Sequence, residues 1–378
     1  MANDNQTLRC PVCRGPLFFT PAKGNFTCEY CDSEFSLEDL KARGINVDGV
    51  QDAGQTHQGR EISEDEREYT EIDDDSAYGV EGTAKLVAYK CPHCQAEVVT
   101  SATTAATTCV YCGQAIVLSS QLVNDLSPEG VVPFTTTEEQ ARAEFLKFAK
   151  KPLTPGDFLN TVKVKKIQGV YTPFWLFSGL VEGQEAGSCR LTYDTSNYDY
   201  TVTADFYRAG RMKFEDVPVD GSSRIDNDAM DSIEPFDLKA MQPFSPMYLT
   251  GFLAERYDED AQACYPRCES RVTRSLQDFL EEDVKSELES HQKHSGSFSV
   301  SNLGQKDINV PECSTKYVML PVWLLYCNYK DKDYLFAMNG QTGKFIGNLP
   351  CSKLKLFLFS GGGGLALFTL FMLIFGLG

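Results

Sequence analysis

The sequence predicts a multidomain α+β chain: two small four-cysteine modules, a mainly antiparallel β-rich domain with a few helices, in one or two related sheets, and one C-terminal transmembrane helix. Three observations carry this reading. Four cysteines recur twice with one spacing, the region after Ser120 alternates helical and strand-like patterns, and the last 23 residues carry no charge. At 378 residues the chain exceeds one average domain of roughly 100–200 residues. The expected boundaries are a first ribbon over 1–43, an acidic flexible linker over 44–83, a second ribbon over 84–120, an α+β domain over 121–353 and an anchor over 354–378.

The cysteines come first. Cys10, Cys13, Cys28 and Cys31 form two C-x2-C pairs separated by fourteen residues, and Cys91, Cys94, Cys109 and Cys112 repeat the same gap. The opening MANDNQTLRCPVC has no apolar run that could act as a signal peptide, so the expected compartment is reducing. There, paired cysteines are metal ligands more often than disulfides. Each C-x2-C turn points two thiolates to one side, and the intervening hairpin closes a tetrahedron around Zn2+. The expectation is therefore two structural Zn2+ sites, each closed by four sulfurs with no position left for water or substrate. Spacing alone leaves iron–sulfur ligation open. A thioredoxin-type C-x-x-C would need a βαβ context, which short hairpins do not supply. His93 reads as a turn residue. The other six cysteines show no further metal spacing. Cys264 and Cys268 could pair or ligate, but as small buried hydrophobes they need no such role.

Between the quartets, 44–82 holds twelve Asp or Glu against two Arg, a composition that cannot offset its own ordering entropy. It is expected as a tether, with a short acidic helix around Glu64 to Glu71 as an option. Formal net charge is −18, which opposes nucleic-acid binding, because that affinity comes from Lys and Arg displacing counterions. Four thiolates on one Zn2+ add a further formal −2 per site.

The region after Ser120 opens on TTTEEQARAEFLKFAKKP, a capped amphipathic helix. VKVKKIQGVYTPFWLF, CRLTYD and YDYTVTADFYRAGRMKFEDVPV read as strands, with Ala209-Gly210 as a candidate tight turn. ESRVTRSLQDFLEEDVKSELESHQKH places Val272, Leu276, Leu280, Val284 and Leu288 four apart, a helix with one apolar stripe. Strands return in KYVMLPVWLLYCNYKDKDYLFAMNGQTGKFIG, with turns at Lys330 to Lys332 and at Asn339-Gly340. Both tryptophans, Trp175 and Trp323, sit in a Pro-x-Trp-Leu core and are assigned to packing. From Leu356 to Gly378 the chain is long enough to cover a hydrocarbon core of roughly 30 Å as a helix. Lys353 and Lys355 before it keep the bulk of the chain in the cytoplasm, giving a single-pass protein of the cytoplasmic membrane held in the lipid bilayer by its C-terminal helix.

No HExxH, G-x-S-x-G or G-x-G-x-x-G occurs. NGQTGKF lacks the first glycine and the Ser or Thr of a P-loop and reads as a β-turn. No catalytic residue is nominated, and an enzyme is not expected.

The two ribbons, VYTPFWLF, the stretch VPVDGSSRIDNDAMDSIEPFDLKAMQPFSPMYLTGFLAERYD and LPVWLLYCNYKDKDYLFAMNGQTGKFIG before the C-terminal segment resemble the bacterial TFIIB-type zinc-ribbon-containing membrane proteins. The resemblance covers about residues 85–378. It implies a partner of the SPFH (flotillin-like) or PspA-like kind. The resulting expectation is a non-catalytic, membrane-anchored adaptor that recruits a cytosolic protein partner, with homo-oligomerisation left open. A membrane-tethered nucleic-acid regulator is the alternative, and an enzyme in the β-rich domain a second.

Overall fold

Local sequence already explains why the first secondary elements stop where they do. Leu17–Thr20 and Asn25–Cys28 alternate buried and half-buried residues and pair antiparallel, Leu17 opposite Cys28 and Phe19 opposite Phe26. Glu34–Phe35 adds a third strand. Ser36 then caps the helix Leu37–Ala42, and Asp39 returns the bond to the Ser36 amide, so both exposed N-terminal donors are satisfied. This structure is a computed structural model, and it describes residues 9–45, 47, 60–61, 86–91, 97–109, 115–118, 127–194, 197–290, 297–301 and 306–357.

The chain forms two units. The first takes in 1–172, 223–256 and 319–378, and the second 173–222 and 257–318.

In the first unit, a ring cluster organises the core. Phe134 stacks on Phe252 at 4.2 Å, with Tyr171 and Trp323 edge-on to Phe134 at 5.0 and 5.1 Å. Trp323 also donates its indole N–H to Thr136 Oγ1 at 2.9 Å, satisfying the polar end of a buried ring. The helix Glu138–Phe148 is capped as expected of Thr136 or Thr137 with Glu139 or Gln140: Thr137 pairs with Gln140, and the helix buries Ala141 and Phe145. Val170 and Tyr171 pair in parallel with Leu253 and Ala254. From Val322 onward, Lys306–Tyr329 pairs antiparallel with Lys332–Asn339. Lys330 and Asp331, at φ 52° and 59°, make the turn expected there. NGQTGKF is a clamp: Asn339 Nδ2 donates to the carbonyls of Ile233 and Pro235 at 3.1 Å each, while its Oδ1 accepts from the amides of Gln341 and Thr342. This fixes the turn that the sequence suggested and leaves its amides engaged.

The second unit holds a long antiparallel hairpin with one helix packed on it, and a further strand, Ser297–Ser301, pairs antiparallel with Ser188–Thr192 of the hairpin. From Phe174, Lys163–Asp194 pairs with Asp199–Asp220. Ala209-Gly210 is not a turn. It lies within the continuous second strand, where a Cβ on Gly210 would meet Leu280 Cδ2 at 3.0 Å, so the glycine serves helix packing. The helix Ala261–Ser290 starts ahead of the apolar stripe that revealed it, with Asp260 capping the Ala263 amide. Its buried stripe, Cys264, Cys268, Val272, Leu276 and Leu280, packs on Phe177, Val181, Phe214 and Val219. Burial in this cluster pushes the Cys264 and Cys268 thiols up to about 11 and about 12, as expected of core cysteines. Arg267, three-quarters covered, reaches Asp220 Oδ1 at 2.7 Å, and the Asp220 side chain is fully buried.

The expected transmembrane helix, and with it the single-pass location in the cytoplasmic membrane, is corrected by the structure. Among the described residues no helix is long and apolar enough to cross a membrane. Helical backbone covers 353–357 of that segment, about 8 Å against a hydrocarbon core of roughly 30 Å, and 358–378 lie outside the described residues. The short turn is tied to protein: Ser352 donates its amide to Leu153 O at 2.9 Å and Lys355 its ammonium to Thr154 O at 2.7 Å.

Candidate metal centre

Two tight turns of one geometry build the first site. Cys10 donates its amide to Gly15 O at 2.7 Å, and Cys28 donates likewise to Ser33 O at 3.0 Å. In each turn the fifth residue donates back to the first cysteine's carbonyl at 2.9 Å, Arg14 to Cys10 and Asp32 to Cys28. Both sit in the left-handed region, Arg14 at φ 62° and Asp32 at φ 55°, a strain of roughly 1–2 kcal/mol each that the closed turns hold in place. The sequence reading did not find these positions, since Arg is an unusual left-handed residue. Asp32, a residue type that visits this region, was the available signal.

The turns bring Cys10, Cys13, Cys28 and Cys31 together with all four Sγ within 4.8 Å of one another. Cys13 and Cys28 Sγ lie 3.4 Å apart, and Cys10 and Cys31 Sγ 3.6 Å. A tetrahedron of sulfurs about 2.3 Å from a metal has edges of roughly 3.8 Å, which falls between these two separations and the 4.8 Å bound on the cluster. Amides of Val12 and Gly15 point at Cys10 and Cys13 Sγ, each at 3.4 Å, a donor set that favours thiolates. The Ser33 hydroxyl, 3.2 Å from Cys31 Sγ, together with the Ser33 amide holds the Cys31 thiol down at about 6. Burial raises the Cys10 thiol. The Gly15 amide is the largest single influence on the Cys13 thiol and lowers it, but Cys28, burial, Cys31 and Cys10 together raise it to about 12. This four-cysteine cluster could bind a metal ion.

Beside the site, Val12 and Tyr30 occupy the same position of their two turns and are 61% and 77% exposed. Tyr30 lies over Gly15, where a Cβ would meet its Cδ2 at 3.0 Å. The ribbon's other end is seated within the first unit. The Phe19 amide donates to Thr250 O at 3.2 Å and to Thr250 Oγ1 at 3.1 Å, and Tyr248 packs on Phe19 and Phe26 at 5.3 and 5.7 Å.

Of the second quartet, Cys91 and Cys109 are described, and Cys94 and Cys112 lie outside the described residues. Cys91 follows the strand Leu86–Lys90, which pairs with Glu97–Ser101, and Cys109 follows Thr104–Thr108. Both are buried in one cluster with Val87, Tyr89, Val98, Ile116 and Leu118. Arg60 and Glu61, within the segment read as linker, pair with Ala88 and Val87. His93 and the acidic stretch Glu64 to Glu71 are outside the described residues.

No family model matches the chain, and no solved structure matches it. Over 247 residues the chain is 32% identical to the Bacillus subtilis (strain 168) protein named "Uncharacterized protein YdjG", an overlap of 64% of this chain and 69% of that protein. The chain belongs to the family of YdjG.

Proposed function

We propose that this chain is a non-catalytic zinc-ribbon adaptor: both quartets hold Zn2+ in closed four-thiolate sites, and the ribbons offer a docking surface to a protein partner. The observation that carries this reading is the convergence of Cys10, Cys13, Cys28 and Cys31 within 4.8 Å. Four sulfurs complete a tetrahedral sphere, so the metal would serve structure and not substrate activation. Cys91, Cys94, Cys109 and Cys112 repeat the spacing and are assigned the second Zn2+ on that ground. The exposed Val12 and Tyr30 on the turn tips are the docking residues, as aromatic anchors often are at protein interfaces. Net charge of −18 favours a protein partner over nucleic acid. By its resemblance to the TFIIB-type zinc-ribbon family, the partner is of SPFH (flotillin-like) or PspA-like type.

Two measurements test this. Elemental analysis of the purified chain is expected to give two zinc per chain. One zinc would remove the second site, and iron with visible absorption would replace zinc by a cluster. Binding to a purified SPFH-type or PspA-type protein is then expected to fall at least tenfold in a Val12→Ala/Tyr30→Ala variant that keeps its metal. Unchanged binding, or none by the parent chain to either protein, would overturn the adaptor reading.

A further inference from the structure

We infer that a metal in the first quartet holds the ribbon as a cover on the turn at 245–251, so that losing the metal uncovers that turn. The inference rests on the reading of Cys10, Cys13, Cys28 and Cys31 as a metal site, and goes beyond it by assigning that metal a second consequence elsewhere in the first unit.

The metal ligands and the covering rings share the same two strands. Cys28 ends the strand that carries Phe26, and Leu17, opposite Cys28, begins the strand that carries Phe19. Whatever fixes Cys28 therefore fixes the hairpin that presents both rings to Tyr248. Among the described residues the contact includes the two ring contacts with Tyr248, the Phe19 amide shared between Thr250 O and Oγ1, and Phe18 against Gly251. Just past the ribbon, Val47 O accepts from the Ser245 hydroxyl. Thr250 Oγ1 also donates to Met247 O at 2.7 Å, so the hydroxyl that receives the ribbon is oriented by the turn it closes.

The ribbon is too small to stay folded on its apolar residues alone. Among its described residues the buried large apolar side chains are Leu17, Phe19, Phe26, Phe35 and Leu40. Modules below about 40 residues generally need a metal or disulfides to hold a core, and small zinc modules are folded with metal and unfolded without it. Stripping the metal thus removes the scaffold on which Phe19 and Phe26 stand. Tyr248, 8% exposed under the ribbon, and the Thr250 carbonyl then face solvent. The cation's presence is read out as exposure of an aromatic turn distant in sequence.

Hydrogen exchange on the full chain tests this, comparing the metal-loaded protein with protein stripped by chelator under reducing conditions. Exchange over 245–251 is expected to rise at least tenfold together with exchange over 17–28. Cys13→Ser confines metal loss to the first quartet and is expected to give the same paired rise. Phe19→Ala leaves all four thiols in place and is expected to open 245–251 with metal content unchanged. If Cys13→Ser lowers the metal content while 245–251 stays protected, the cover is refuted. If Phe19→Ala leaves 245–251 as protected as in the parent, the ring contact is not the cover. A parent chain that holds no metal in this quartet overturns the metal reading itself, whereas Phe19→Ala still reports on the contact.

Discussion

The first ribbon and the helix-on-hairpin layer of the second unit use opposite means to hold two strands in place. The ribbon has a handful of covered apolar side chains, left-handed Arg14 and Asp32, and four sulfurs drawn within 4.8 Å. The hairpin Lys163–Asp194 with Asp199–Asp220 has a 30-residue helix whose buried stripe runs from Cys264 to Val284, and no metal-ligand group is found there among the described residues. Cysteines occur in both, which is instructive. In the ribbon they converge from two turns, and amides aim at their sulfurs. On the helix Cys264 and Cys268 stack four apart in an apolar face, where burial raises their thiols. A cysteine's role follows from the donors around it more than from its spacing to the next one.

The comparison can be broken from either side. Metal removal carries the largest expected effect: the ribbon should unfold, a loss of about 10 kcal/mol or more by analogy with small zinc modules at neutral pH, while exchange protection along Ala261–Ser290 stays unchanged. Next is Arg267→Met. It removes the Arg267 contact to the fully buried Asp220 side chain at 2.7 Å and should destabilise the second unit by about 3–5 kcal/mol in denaturant unfolding. Leu276→Ala, which opens a cavity in the stripe, should cost about 2–5 kcal/mol there and leave metal content untouched. The smallest effect belongs to Ser36→Ala. Removing the capping hydroxyl should cost the ribbon about 1 kcal/mol, visible as weaker metal retention against a competing chelator. Equal sensitivity of both regions to chelation would erase the distinction.

Much of this was legible in local pattern. The cap, expected at Thr136 or Thr137 and found at Thr137, the stripe Val272, Leu276, Leu280 and Val284, whose expected last member Leu288 is only half-buried, and the turn at Lys330 and Asp331 all depend on residues close in sequence. Gly210 was misread because a glycine wanted for close helix packing looks, in sequence, like one wanted for a turn. The C-terminal span was inferred from apolar length alone. The described part of that segment is a short turn whose Lys355 binds Thr154 O, a contact across 201 positions that composition does not encode. The cysteine site was half visible. Spacing gave the candidate ligands, but the seat of Phe19 on Thr250 spans 231 positions and has no local signature.

X-ray absorption at the metal edge of the purified chain is expected to show a first shell of four sulfurs at about 2.3 Å with no oxygen or nitrogen. A shell containing water, carboxylate or imidazole would contradict a closed four-cysteine site.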